Sequence, residues 1–266
     1  MLPGVEATRP PAAIEIDDSA FAALPDRRAG VVYIATGDEY VEAARLSAES
    51  VRRSNPALPI ALFCDSAPRR ADGDPFSALH PVSHPHRRSK VDYLPHSPFE
   101  RTLYLDADVR VVSDLSEVFG VLDRFDVALA HAHARNHRRT NASWRVDIPP
   151  GFPQFNGGVI AWRRSERTLA FLRAWREAYH ESGFRKDQIT LRELLWLSDL
   201  RIATLPPEYN LRYSKYLWLW GRDEARAKIL HMAWFKQRSK LAPLRDSILG
   251  RLVRPNGAAR RDPSRA

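Results

Sequence analysis

The sequence has 266 residues, 44% hydrophobic and 27% charged, with a formal net charge of +9. That balance excludes an intrinsically disordered chain, and the length supports one sizeable core. No run reaches about 18 consecutive apolar residues, which argues against a membrane-spanning helix, and a single cysteine, Cys64, excludes an internal disulfide and fits a reducing compartment.

The start of the chain, MLPGVEATRPPAAIEIDD, lacks a basic region followed by an apolar core, so no secretory signal is expected. With Pro3, Pro10 and Pro11 it reads as part of a loose arm over 1–29. VVYIAT at 31–36 is a short β-branched run and predicts a buried strand. A helix over 41–54 follows, with positions 41, 44, 48 and 51 on one face and Asp38 as its expected N-cap. Asn55-Pro56 ends it, and PIALFCD at 59–65 is a second buried strand, with Cys64 an inert core thiol. Strand, helix and strand in this spacing predict a βαβ unit and a parallel sheet.

Further strands are expected at 78–84, 101–112, 126–132, 154–162 and 201–206. Helices are expected at 113–124, with Asp114 and Glu117 at capping-box spacing, at 167–182 behind Ser165, and at 187–198. The stretch 228–235 is a last apolar segment, and the chain ends in a basic, unstructured tail over 251–266. The whole predicts one mixed α/β domain over 30–250.

The stretch YLDADV, 104–109, closes the apolar strand run with two acids. On a strand, Asp106 and Asp108 project from the same face. Two adjacent carboxylates are costly unless a cation lies between them. Hard divalent ions take oxygen ligands and often share them with substrate phosphates, so the pair reads as a seat for a metal–diphosphate complex; an exposed turn or a cap is the alternative. In FNGG, 155–158, two glycines inside a strand mark either close approach of a ligand or a β-bulge, and Asn156 beside them can donate and accept. Asp187 before Gln188 is a site residue or a helix cap. His231 is a core histidine or a nitrogen ligand to the metal, which suits Mn²⁺ better than Mg²⁺.

Taken in order, AlaThrGlyAspGluTyr (35–40), Lys90 in ArgSerLysValAspTyrLeu, TyrLeuAspAlaAsp (104–108), PheAsnGlyGlyVal (155–159), AspGln (187–188), LeuProProGluTyrAsn (205–210) and His231 resemble the GT-A fold nucleotide-sugar glycosyltransferases, family 8 above all. The resemblance runs over residues 31–236 and implies a mixed, mainly parallel sheet with a Rossmann-like N-terminal half. It also implies transfer of a hexose from a UDP-sugar with retention, using Mn²⁺ or Mg²⁺. Asp106, Asp108 and His231 would hold the metal. Ala35, Thr36 and Tyr40 would face the uracil. Lys90 would stand near the donor's phosphates or sugar and Lys236 at the phosphates, while Asn156, Gly157, Asp187 and Gln188 would line the donor-sugar pocket, with Asp187 and Gln188 as the catalytic pair that orients the sugar and the developing cation. HisMetAlaTrpPheLys departs from the family's His-x-x-Gly run with its lysine and Pro-Trp, and Lys236 stands one position early.

A nucleotidyltransferase acting on sugar phosphates and another retaining GT-A family remain as alternatives. A nucleotidyltransferase, however, carries a glycine-rich basic loop where this chain has one glycine and two acids. No element concentrates the base-contacting pattern of a nucleic-acid binder. Glycosidase carboxylates stand about 5 Å or more apart and normally come from different strands. The acceptor is left open as a glycan, a lipid-linked sugar or a protein, and the expected location is cytoplasmic. Aromatics mixed with cations at 213–222 suit a membrane interface, a pocket wall or a core helix. The basic segment 131–139 is either a solvated loop or a contact to acceptor or donor.

Overall fold

The computed structural model describes residues 14–66, 73–135, 137, 142–221, 224–232 and 235. Lys236 and the tail expected over 251–266 lie outside the described residues. The segment before Gly30, read as part of a loose arm, contributes to the core. Phe21 is buried and packs on Phe63 and His80, and Ile14 and Ile16 pack on the same cluster.

The main sheet has seven strands: β1 (Ala29–Ala35), β2 (Ile60–Cys64), β3 (Ala78–Pro81), β4 (Arg101–Leu105), β6 (Val127–His131), β7 (Phe155–Arg163) and β8 (Ile202–Leu205). Their spatial order is β3-β2-β1-β4-β7-β6-β8, and β7 alone runs against its neighbours. The expected mixed, mainly parallel α/β sheet is therefore present. Helices cover both faces, so β1 and β2 read as continuous apolar runs rather than alternating ones. One face carries α1 (Asp38–Ser54), which buries Val41, Ala44, Ala48 and Val51, and α3 (Ser116–Val121). The other carries α4 (Glu166–Ser182) and α5 (Gln188–Leu197), with Leu172 and Trp175 of α4 in the core.

Ser165 caps α4 in a reciprocal box with Thr168, as its sequence suggests. Two other caps differ from expectation. Asp38 is already helical, because Gly37 at φ 84° makes the turn and donates its N–H to Asp65. Asp114 binds the N–H of Ser116 in a local turn, while Glu117 pairs with Lys228 and Tyr209, so α3 is shorter than 113–124 and has no capping box.

The expected strand 101–112 is two strands. β4 ends at Leu105, the chain turns through 106–108, and β5 (Val109–Val111) leaves the main sheet to pair antiparallel with β9 (Ile229–His231). Ser50 of α1 accepts the Val111 N–H at 2.9 Å and Asn55 accepts that of Leu115 at 2.8 Å, which ties this second sheet to the first βαβ unit.

Asp92, on the short α2 (Lys90–Tyr93), is fully buried between His86 at 2.5 Å, His180 at 2.8 Å and Arg176 at 3.1 Å. It clasps the loop before Lys90 onto α4. Burial opposes its charge, but the bonds from His180 and His86 outweigh that and hold its carboxyl down at about 2. The folded value lies below the unfolded one, so this stabilisation is full above pH 4 and disappears as pH falls towards 2. Lowering the pH from 5 to 2 should remove about 2 kcal/mol that Asp92→Asn does not lose, measured by urea midpoints at each pH.

Candidate active site

The C-terminal ends of β1 and β4 open into one cleft, where parallel sheets bind ligands. The turn after β4 presents Asp106 and Asp108. Their convergence arises from this turn and not, as expected, from the pleat of one strand. Asp106 N donates to Gly158 O at 2.9 Å, which anchors the start of the turn on β7. Pairing of β5 with β9 places His231 opposite Val109, and Met232 N donates to Asp108 O at 3.2 Å. A one-residue slip in this pairing would turn His231 away.

His231 Nε2 lies 3.3 Å from Asp108 and 3.8 Å from Asp106. On the other side of the ring, Nδ1 donates to Asn210 Oδ1 at 2.7 Å, which aims Nε2 at the acids. The ligand atoms of the three residues all lie within 4.8 Å of one another. Gly158 makes this possible, since a Cβ there would stand 2.3 Å from His231 Cε1 and 2.7 Å from Asp106 Oδ2. The β-bulge reading of FNGG is met, because the β6–β7 register shifts between Leu129 and His131, and the close approach at Gly158 is by the His231 and Asp106 side chains.

Lys90 is buried and central. Its Nζ donates to Gly157 O at 2.6 Å and lies 3.1 Å from Asp187 and 3.4 Å from Asp106. Burial works against its charge, and Asp106 and Asp187 outweigh it, so the ammonium is held protonated. Asp106 is pushed up by its enclosed position and by Asp108. Lys90, His231 and the Tyr104 hydroxyl, which donates to Asp106 at 2.6 Å, outweigh this and keep it ionised.

Asp187 makes no side-chain cap on α5. Its carbonyl accepts from Trp175 of α4 at 3.1 Å, which turns the carboxylate between Lys90 and Arg88, the latter at 3.3 Å. Arg192 and Glu193 of α5 hold the loop 142–152 above it by bonds to backbone carbonyls and N–H groups.

Two joined cavities make up the cleft. Ala35, Thr36, Tyr40, Arg88, Lys90, Asp106 and Asp108 line the first. Asn156, Gly157, Asp187, Gln188 and His231 line the second, with Lys90 and the two acids between them. All the predicted site residues except Lys236, which is not described, therefore face one cleft.

Sequence reasoning missed Arg88, Tyr104, Gln154, Asn210 and Arg212. Arg88 sat in a basic run two residues before Lys90, Tyr104 stood two residues before Asp106, and Asn210 closes LeuProProGluTyrAsn, so these three had local signals; Gln154 and Arg212 had none. Of the basic segment 131–139, His133 and His137 line the second cavity.

The profile of the nucleotide-diphospho-sugar transferase family matches residues 101–244, more than half of the chain. The chain belongs to this family. The transferase is accordingly a glycosyltransferase that uses a nucleotide-diphospho-sugar donor. No curated protein matches its sequence. Its structure is similar to that of the galactosyltransferase LgtC in complex with donor and acceptor sugar analogues, at TM-score 0.58 and 16% identity over 77% of this chain and 87% of that one. GlyE of Streptococcus pneumoniae TIGR4 matches at 0.52 and 19% identity, over 77% and 55% of the two chains. Mouse xyloside xylosyltransferase 1 matches at 0.52 and 14%, over 80% and 100%. At these identities the likeness is one of fold, and the fold is GT-A.

Proposed function

We propose that the transferase moves a hexose from a UDP-sugar to an acceptor with retention of configuration, as a member of glycosyltransferase family 8, and that Mn²⁺ or Mg²⁺ is its cofactor. The catalytic unit is taken as 30–250. The observation that carries the reading is the convergence of Asp106, Asp108 and His231, which come from separate segments, at the rim of the sheet. The donor set fits such an ion: two carboxylates, and an imidazole whose free nitrogen is fixed by Asn210. The lack of a side chain at Gly158 lets His231 and Asp106 come together, since a Cβ there would stand 2.3 Å from His231 Cε1 and 2.7 Å from Asp106 Oδ2.

When bound, the ion stabilises negative charge on the departing diphosphate as a Lewis acid. The chain supplies the rest. Ala35, Thr36 and the half-exposed Tyr40 form the base end of the cleft, where Tyr40 offers a stacking face. Lys90, and beside it Arg88, bring fixed positive charge to the phosphates without any need to deliver a proton. Asp187, 2% exposed, and Gln188 stand across the cleft, placed to orient the sugar and to balance positive charge developing at its anomeric carbon. Asn156 and Gly157 border the same pocket. With the leaving diphosphate and the acceptor on one face of the sugar, departure and attack on that face retain the configuration.

No helix among the described residues is long and apolar enough to cross a membrane. α6 (Tyr216–Leu219) buries no residue, and Trp218 and Leu219 on it are 70% and 67% exposed. Tyr216, Leu217 and Trp220 pack on a small apolar cluster, and the exposed pair on the outer side supports peripheral contact of a cytoplasmic enzyme with an anionic membrane.

Two outcomes test the reading. A melting-temperature and donor-hydrolysis screen over nucleotide-sugars should show stabilisation by a UDP-hexose that depends on added Mn²⁺, about 2.7 kcal/mol at a hundredfold excess over Kd. Stabilisation by other nucleotide-sugars alone, or by none, would reject it. Asn210→Ala, which frees the imidazole, should weaken Mn²⁺ binding about 10–100-fold, read by calorimetry.

A further inference from the structure

Beyond Asn210 lies a third cavity of about 190 Å³, lined by His131, His133, Arg135, Asn210, Arg212 and Trp220 among others. It shares His133 and Arg212 with the cavity that holds Asp187 and Gln188, so a ligand in it can extend to the donor sugar. Three features set its chemistry. None of its lining residues is acidic, while two arginines and two histidines are among them. Asn210 is 5% exposed, and its Nδ2 has no hydrogen-bond partner because its Oδ1 is committed to His231; the buried Nδ1 of His133 also lacks one. The structure therefore leaves buried polar groups at a cavity that carries two arginines and no acid, an arrangement that an anionic ligand would complete. The third feature is its wall. Tyr216 and Trp220 stack at 5.4 Å with 23° between their planes and offer flat apolar faces against which the C–H face of a sugar ring can pack.

We infer that this cavity is the acceptor subsite and that it takes a sugar carrying an acidic group, a carboxylate or a phosphate, held by Arg135, Arg212 and Asn210 against the Trp220 wall. The inference rests on the glycosyltransferase reading and names its acceptor class. A volume well below the ~300–1,000 Å³ of drug-sized pockets suits one acidic sugar or headgroup. Arginine matches both oxyanions, since its planar fork pairs two oxygens at once. The acid can belong to a lipid-linked saccharide, with the exposed face of α6 against the membrane, or to a soluble glycan.

Tryptophan fluorescence tests this without a donor. Titration with methyl glucuronide should change the emission, with a Kd about tenfold or more below that of methyl glucoside, as expected for one charge-assisted bond of ~1.5–3 kcal/mol. Trp220→Phe should remove most of the signal. Arg135→Met, at an exposed position outside the donor cavities, and Arg212→Met should each erase the preference, with circular dichroism confirming the fold. Equal binding of the two glycosides, binding of neither, or a preference that survives both substitutions would overturn the inference. A competition arm separates the sources once glucuronide binds. Displacement of glucuronide by phosphatidylglycerol vesicles assigns a lipid headgroup, and undiminished binding beside the vesicles assigns a soluble acid. Because no nucleotide is present, failure here leaves the donor screen intact, and failure of that screen leaves this measurement readable.

Discussion

Asp108→Ala is expected to lower sugar transfer by about a thousandfold or more while leaving the chain folded. Asp108 is 4% exposed, yet it stands in a turn between two strands and not in the packed core. Its backbone carbonyl keeps the bond from Met232 whatever its side chain. What the substitution removes is one of two carboxylates facing His231 Nε2, and with it a ligand of the proposed cation. The loss should therefore appear in kcat with saturating donor as well as in Mn²⁺ affinity, while the melting temperature without metal changes little. Full turnover by the variant would contradict the metal role of the pair.

Gly158→Ala should be nearly as damaging, for a different reason. The added Cβ would meet His231 Cε1 at 2.3 Å, Asp106 Oδ2 at 2.7 Å and Asn156 Oδ1 at 2.9 Å. None of these can move freely. His231 is held by Asn210 and by the β5–β9 pairing, and Asp106 by Tyr104 and by its own N–H on Gly158 O. Overpacking of this kind costs about 1–3 kcal/mol of stability. Here it also displaces two of the three groups that would hold the cation, His231 and Asp106. Calorimetry of Mn²⁺ binding and the urea midpoint should both fall, with transfer activity lost before the fold. An unchanged Mn²⁺ affinity would show that the space beside Gly158 is not part of the site.

Much of this was legible in the chain. The continuous apolar runs at 31–36 and 59–65 and the stripe of the helix between them are local patterns, and local patterns survive folding when burial on both faces supports them. The cap at Ser165 was readable for the same reason. The aspartate pair was legible as chemistry but not as geometry, because a turn and a continuing strand share the residues 104–109. β9 pairs with a strand more than 100 residues away, so nothing near His231 announces its partner. Gln154 and Arg212 belong to this class, ordinary polar residues until the topology carries them to the cleft, and Asn210 closes a readable motif whose role against His231 only the fold reveals. Asp187 reads as a site residue or a helix cap from sequence alone; in the fold Lys90 and Arg88 engage its carboxylate and no side-chain cap forms.

The account stands on the proposed cation between Asp106, Asp108 and His231. Isothermal titration of Mn²⁺ into the metal-free protein with UDP present tests this most directly, with the Asp106→Asn, Asp108→Asn and His231→Ala variants alongside. One site should saturate in the native chain and be lost or weakened about tenfold or more in each variant, in step with transfer activity. Equal Mn²⁺ affinity in all four proteins, or undiminished transfer in EDTA, would contradict it.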